Sequence, residues 1–538
     1  MLKRCIKGSN ADNKNEKSDY AHQVYDNTIV NDSLKTIAKG TGIILTGTFI
    51  GSILAVFFPI IIARFFSPIE FGIYALAMTV FLFLIQISSL GLGDGCSRNI
   101  AFYRGKQDYK KVKDVIISSF EIVLISGIAA CILLFLSADW ISYTVFNNEA
   151  LIMPLRILSF AIPFWLLINM IISTCRGFDS TKENVYFSHL LINGGKFLFV
   201  APVIILAMSF DYIFYAFLAN IIMVFLIASF YFKRKIPGEI KVKHTSSSVR
   251  KELLVFSFPL IISGMSWFLL QGTDKLMIGY FIDEYNVGLY NVASTISGYL
   301  NIFLVSVMFI FQPVGTKLYG AGKNLEIKKL YQTVTKWLFL LASPLIMFVF
   351  LAPDVTTSVL FGSRYLEAAF PLLILFMVYS IRISLGPAGG SIIMFGKTKQ
   401  LMYIVGGTAT MNIVLNWFFI PRYGISGAAV ATGISILILS FLQLGYLYKI
   451  SKMLPVKKLY AKIITVFLSL MAVVYLVFQY SPITFSLSAR ITLIIFSYLL
   501  FFVLLIIFNL FSEEDLLIVK LIERKLRIKI PFVRKIIR

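Results

Sequence analysis

Four charged side chains stand where charge is costly. Asp274 and Lys275 lie in the apolar stretch 264–295, GMSWFLLQGTDKLMIGYFIDEYNVGLYNVAST; Arg382 follows PLLILFMVYSI, and Lys196 sits inside LLINGGKFLFV. Ionisable groups in such runs mark function and a bundle interior. Neighbours on a helix point about 100° apart, so Asp274 and Lys275 do not simply neutralise one another. Lys275 lies about 9 Å from the end of its span, within reach of a snorkelling stem, so an interfacial lysine and a cavity-lining one both fit. The short Asp274 side chain has no such escape, which makes it an ion or proton site or a structural counter-ion.

Arg382 is the stronger cation. It precedes Phe395 by 13 residues, or about 20 Å of helix, too deep to snorkel. The following LGPAGG at 385–390 should break the helix, and broken helices at mid-depth commonly line substrate sites. Lys196, about twelve residues from either edge of its span, is equally deep. Gly194 and Gly195 beside it allow close helix approach. A buried structural pair is the alternative for both. Neutral polar residues in the spans (Gln86, Asn169, Asn193, Gln271, Asn301, Asn412, Asn416) suit sugar hydroxyls or interhelical hydrogen bonds.

Other chemistries find no support. His22, His189 and His244 are scattered, so no metal cluster is visible, and there is no Walker loop, GxSxG or HExxH. Acidic residues outside the apolar runs, such as Asp139, Glu149 and Asp211, are spread thinly over short outer loops. With no cofactor motif and no large exposed domain, transport is a more economical reading than an enzyme.

The elements that must position these charges are membrane spans. The chain has 538 residues, 58% of them hydrophobic, and a mean hydropathy of +0.83. Runs long enough to span, about 20 residues each, are predicted at about 41–63, 71–93, 114–137, 154–176, 185–208, 212–232, 253–281, 287–312, 331–352, 368–394, 400–420, 424–448, 461–480 and 488–511. The expected fold is therefore an all-α, polytopic membrane protein of about 14 transmembrane helices. The net charge of +23 reflects topology rather than a nucleic-acid footprint, because 41 of the 50 Lys and Arg fall on one set of alternate loops and the two tails. Positive residues are retained inside, which puts both termini in the cytoplasm.

Two halves are expected. EFGIYALA at 70–77 and NVGLYNVA at 286–293 align Gly72 with Gly288, Tyr74 with Tyr290 and Ala77 with Ala293 at an offset of 216. FDSTK at 178–182 and FGKTK at 395–399 match at 217, an offset that aligns Arg382 with Trp165. Six spans per half gives parallel repeats facing a shared cleft. The expected organisation is a disordered cytoplasmic tail over 1–35, a six-helix bundle over 36–232, a basic linker over 233–251, a second six-helix bundle over 252–450, two more helices within 451–511, and a basic amphipathic tail over 512–538. That last segment, with Ile518, Leu521, Ile522 and Leu526 on one face, suits the anionic inner leaflet. The four cysteines, Cys5, Cys96, Cys131 and Cys175, suggest no disulfide.

KGTGIILTG (39–47), SPIEFGIYALA (67–77), SLGLGDGCSRNIA (89–101), DKLMIGYF (274–281), VGLYNVA (287–293), FGKTK (395–399) and NWFFIPRYGISGAAVATGIS (416–435) follow in order along the chain. In this order the chain resembles the polysaccharide transporter branch, the Wzx-type lipid-linked oligosaccharide flippases, of the multidrug/oligosaccharidyl-lipid/polysaccharide exporter superfamily. The resemblance implies two bundles around a cavity open alternately to each side, carrying a polyprenyl-linked sugar chain across the cytoplasmic membrane. It also implies a cationic cavity, for which Arg382, Lys196 and Lys275 are the candidates, with Asp274 inside a recurring family stretch. Its partners would be the lipid-linked oligosaccharide, membrane lipids, and a polysaccharide polymerase or glycosyltransferases. Fixed cations would replace the hydration of a pyrophosphate head group, with arginine able to grip it bidentately. A drug or cation antiporter of the same superfamily would present acidic groups instead, and a membrane glycosyltransferase or polymerase would need carboxylates or metal ligands in outer loops.

Overall fold

The computed structural model describes residues 47–48, 50–180, 182–235, 247–455, 458–480, 486–508 and 510. The expected tail over 1–35, the middle of the basic linker, the amphipathic segment over 512–538 and the start of the first span lie outside the described residues. What is described is helical throughout, with no strand among those residues. The helices are α1 (Ile50–Phe65), α2 (Pro68–Ser88), α3 (Leu92–Gly105), α4 (Tyr109–Trp140), α5 (Ile152–Gly177) and α6 (Lys182–Ile205), then α7 (Tyr212–Lys235) and α8 (Ser247–Phe281). They continue with α9 (Glu284–Gly320), α10 (Asn324–Leu351), α11 (Pro353–Phe361), α12 (Ala369–Ser384), α13 (Ala388–Met394), α14 (Thr398–Ser451), α15 (Lys458–Tyr480) and α16 (Leu487–Ile507).

Among the described residues twelve helices are long and apolar enough to cross a membrane, so the protein is a multi-pass membrane protein. One of them, α14, is 54 residues long, which as a straight rod would run about 80 Å. It is not straight. Gly424 has φ 58° and ψ −142°, Pro421 precedes it, and Asn412 donates to the Thr432 hydroxyl at 3.0 Å across the bend. An unbroken helix would hold those two residues about 30 Å apart. Gly427 permits the fold, since a Cβ there would lie 2.2 Å from the Phe419 carbonyl oxygen. This hairpin and α1 are what the expected count of fourteen requires beyond the twelve.

The two copies of the internal repeat meet each other. Helices α2 and α9 begin at repeat-related residues: Ser67 caps α2 in a capping box with Glu70, and Asp283, 216 positions on, caps α9 by accepting from the Asn286 amide at 2.8 Å. One turn later the matched glycines cross. A Cβ on Gly72 would lie 1.8 Å from the Glu284 carbonyl oxygen, and one on Gly288 would lie 2.2 Å from that of Pro68. Each glycine thus seats the backbone of the other copy's first turn, the pattern of an approximate two-fold axis through the contact. Around it Phe71 packs on Phe361 and Tyr365, and the Arg64 guanidinium donates to the carbonyls of Leu360 and Val359.

The opposite end of the bundle joins the halves through α8. Gly91, in a left-handed break between α2 and α3 with φ 63°, lies against the backbone of Ser257 and Ile261. Tyr103 donates to the Glu252 carboxylate at 2.7 Å, Arg250 pairs with Glu121, and Arg98 sits 4.4 Å over the Phe256 ring. Glycines admit close approach at both ends, and carboxylate contacts are added at this one.

Well-packed interiors do not absorb an added methyl without strain. Gly72→Ala and Gly288→Ala should therefore each lower stability by about 1–3 kcal/mol. Thermal unfolding of the purified variants measures this. Gly298→Ala, where an added Cβ meets nothing within 4 Å, should leave stability unchanged.

Candidate functional site

The site is built where α12 breaks. Its last turn ends at Ser384, Gly386 takes φ 79°, Pro387 caps the next segment and α13 starts at Ala388. A break at this depth frees carbonyls that lipid cannot satisfy. Two neighbouring helices supply the donors: the Tyr331 hydroxyl of α10 reaches the Leu385 carbonyl at 2.6 Å, and the Tyr460 hydroxyl of α15 reaches that of Ser384 at 3.0 Å. Gly386 also admits Thr335, whose Oγ1 would lie 2.1 Å from a Cβ at that position.

The broken segment and Arg382 line a cavity of about 600 Å³ together with Trp267, Gln271, Asn301, Tyr379 and Gln443. Arg382 lies 5.6 Å from the Trp267 ring and makes no ion pair with a described carboxylate. Gln443 is 5% exposed, its Nε2 has no hydrogen-bond partner among the described residues, and its amide is held against Gly389. A fixed guanidinium and an unsatisfied amide donor on one wall make a site for an anion or a hydroxylated ligand. The glycine-rich break is what lets that wall approach so closely.

Asp274 and Lys275 lie next door. They line a smaller hollow of about 120 Å³ that shares Gln271, Asn301 and Tyr379 with the Arg382 cavity. Asp274 is 3% exposed, and its carboxylate accepts from the Tyr290 hydroxyl, the Asn416 amide and the Thr432 hydroxyl, each at 2.6 Å. Asn416 also donates to Asn412, which donates to Thr432, so α8, α9 and both arms of the α14 hairpin are tied to one carboxylate. Lys275 lines the same hollow and is only partly buried.

A third hollow, of about 890 Å³, lies on the other side of Trp267, between α2, α5 and α8. Its walls carry Gln86, Trp165, Asn169 and Asn184, and the Asp94–Arg176 ion pair at 2.5 Å. Arg176 also reaches Ser97 and the Gly93 carbonyl, so its charge is committed.

Lys196 is not on the walls of these three hollows. It lies 5.4 Å from the Phe58 ring and 5.8 Å from that of Phe217, where aromatic faces attract the ammonium. The adjacent Gly195 does serve close approach, since a Cβ there would collide with the Asn220 side chain. The structure thus brings Arg382, Asp274 and Lys275 into adjoining hollows and sets Lys196 apart. Sequence reasoning passed over Gln443 and Trp267, because a lone amide or indole in an apolar run carries no signal until its surroundings are known.

The Asp274 network yields its own expectation. Removing the acceptor leaves three buried donors unsatisfied, at about 1–3 kcal/mol for each such group. Asp274→Ala should therefore lower the melting temperature much more than Tyr290→Phe, which removes a single donor; detergent-solubilised protein tested by differential scanning fluorimetry checks the order.

Comparison with known proteins agrees with this architecture. The family model described as "Polysaccharide biosynthesis protein" matches residues 37–314, more than half of the chain, and the MatE model matches 259–418. An uncharacterized membrane protein of Methanocaldococcus jannaschii is 23% identical over 77% of this chain and 84% of its own length. A putative O-antigen transporter of Shigella flexneri is 22% identical over 72% of this chain and 91% of its own. Among solved structures, the lipid II flippase MurJ in an inward closed conformation superposes with a TM-score of 0.67 at 18% identity, covering 85% of this chain and 97% of that one. The chain belongs to the polysaccharide biosynthesis protein family, the polysaccharide transporter branch of the multidrug/oligosaccharidyl-lipid/polysaccharide exporter superfamily.

Proposed function

We propose that this protein is a flippase that moves a polyprenyl-(pyro)phosphate-linked oligosaccharide across the cytoplasmic membrane, for assembly of a surface polysaccharide or glycan. The observation that carries the reading is Arg382, a guanidinium without a carboxylate partner among the described residues, on the wall of a hollow at a helix break. Such a charge is stable at that depth only beside water or an anion. A lipid head group of pyrophosphate and sugars is too polar to cross hydrocarbon unaided, and the hollow supplies the polar surroundings it would lose. The names of the Shigella transporter and of MurJ support the same class of substrate.

In this reading two six-helix bundles, with two helices following, enclose the cavity, and both termini face the cytoplasm. Access alternates as the contact around Gly72 and Gly288 and the contact around Tyr103–Glu252 and Arg250–Glu121 part in turn. Lys275 adds positive charge near the head group, and Asp274 is the carboxylate at which an ion or proton couples to the movement. Lys196 contributes charge to the first bundle from its aromatic slot. The basic C-terminal segment rests on the anionic inner leaflet, and a polymerase or glycosyltransferase handles the sugar chain on either side. A drug or cation antiporter is the second reading, favoured by one observation: the buried Asp274 falls inside the MatE match.

Arg382→Ala should abolish glycan export at unchanged membrane abundance, with lipid-linked oligosaccharide accumulating inside, and Arg382→Lys should retain partial activity. Full export by the alanine variant removes Arg382 from the mechanism. A cysteine at 382 should react with small aqueous thiol reagents in intact membranes; complete protection would place the position in dry packing.

A further inference from the structure

We infer that the hollow between α2, α5 and α8 is a glycan subsite, separate from the phosphate-holding wall at Arg382, and that the duplicated halves have divided the substrate's head group between them. This rests on the flippase reading above.

The starting point is one repeat-related pair. Arg382 and Trp165 occupy matching places, 217 residues apart, in the fourth span of each half. Both face a hollow, and the two hollows share Trp267 as a common wall. One position therefore offers a cation and its counterpart an indole. Trp165 is braced from behind by Phe217, near-parallel at 6.2 Å, and by the edge contact with Phe81 at 5.8 Å. A ring held on one side and open on the other presents a flat apolar face, the shape that matches the C–H face of a pyranose.

The polar groups around it fit the same ligand. Gln86, Asn169 and Asn184 offer amide donors and acceptors, and their side chains make no hydrogen bond to another described residue. By contrast, Asn193, Asn220, Asn412 and Asn416 are engaged with backbone or side-chain partners. Gly264 on α8 leaves room for Gln86, whose Nε2 would lie 2.1 Å from a Cβ at that position. Charge separates the two subsites. Arg176 in this hollow is neutralised by Asp94, so the walls offer no uncommitted cation for phosphate, whereas Arg382 and the unpartnered Gln443 donor across Trp267 do. Neutral amides with a braced indole select hydroxyls and ring faces; a lone guanidinium selects the phosphate.

Two probes test this. The first is the lipid-linked oligosaccharide extracted from membranes of the source organism lacking this gene; the second is the same polyprenyl pyrophosphate without sugar. Binding of each to the full-length protein in nanodiscs is measured for wild type, Asn169→Ala, Trp165→Phe and Arg382→Ala. Asn169 is exposed on the wall of the hollow, and phenylalanine keeps a ring against Phe217, so both variants should fold. Wild type should prefer the sugar-bearing probe by about tenfold or more. Asn169→Ala and Trp165→Phe should remove most of that preference and leave the sugar-free probe unaffected, while Arg382→Ala should weaken both. If the first two variants keep the preference, or weaken both probes equally, the glycan subsite is refuted and the flippase reading stands. If no lipid-linked oligosaccharide accumulates in the deletion strain, or wild type binds neither probe, the flippase reading fails and the subsite falls with it.

Discussion

A charge at membrane depth without a counter-charge must find water or a ligand, and the second half of this chain is arranged around that requirement at the half-buried Arg382. Its α12 stops two residues later, and Gly386 and Pro387 turn the backbone aside. The freed carbonyls are taken by tyrosines from α10 and α15. The last pair of helices therefore does more than add membrane span: Tyr460 secures the break that shapes the cavity. Phe339 packs against both Tyr460 and Phe467, holding α15 in register.

Asp274 solves the opposite problem. It is buried, and three donors from α9 and the α14 hairpin surround it. Satisfied in this way, a carboxylate becomes the tie point of several helices, and any change in its hydrogen bonding is felt by all of them. Its hollow shares walls with the Arg382 cavity, so the two charges lie in adjoining spaces.

The matching segments meet closely at one end, whereas matched positions nearer the centre differ. At the crossing, Gly72 and Gly288 retain the same role, because neither backbone can approach the other if a side chain intervenes. Deeper in, Trp165 and Arg382 occupy matching places but carry unlike chemistry.

The membrane class, the approximate span positions and the break after Arg382 were all legible in the sequence, because each rests on local pattern: apolar run length and a proline among glycines. Four deep charges were legible too, since hydrocarbon makes any charge conspicuous. Their partners were not. That Asp274 is triply hydrogen-bonded, that Lys196 lies between aromatic rings while Arg382 lines a hollow, and that Gln443 is left without a partner depend on helices more than a hundred residues apart in some cases. Local composition decides which segments enter the membrane; which faces they show one another is decided only when the helices pack.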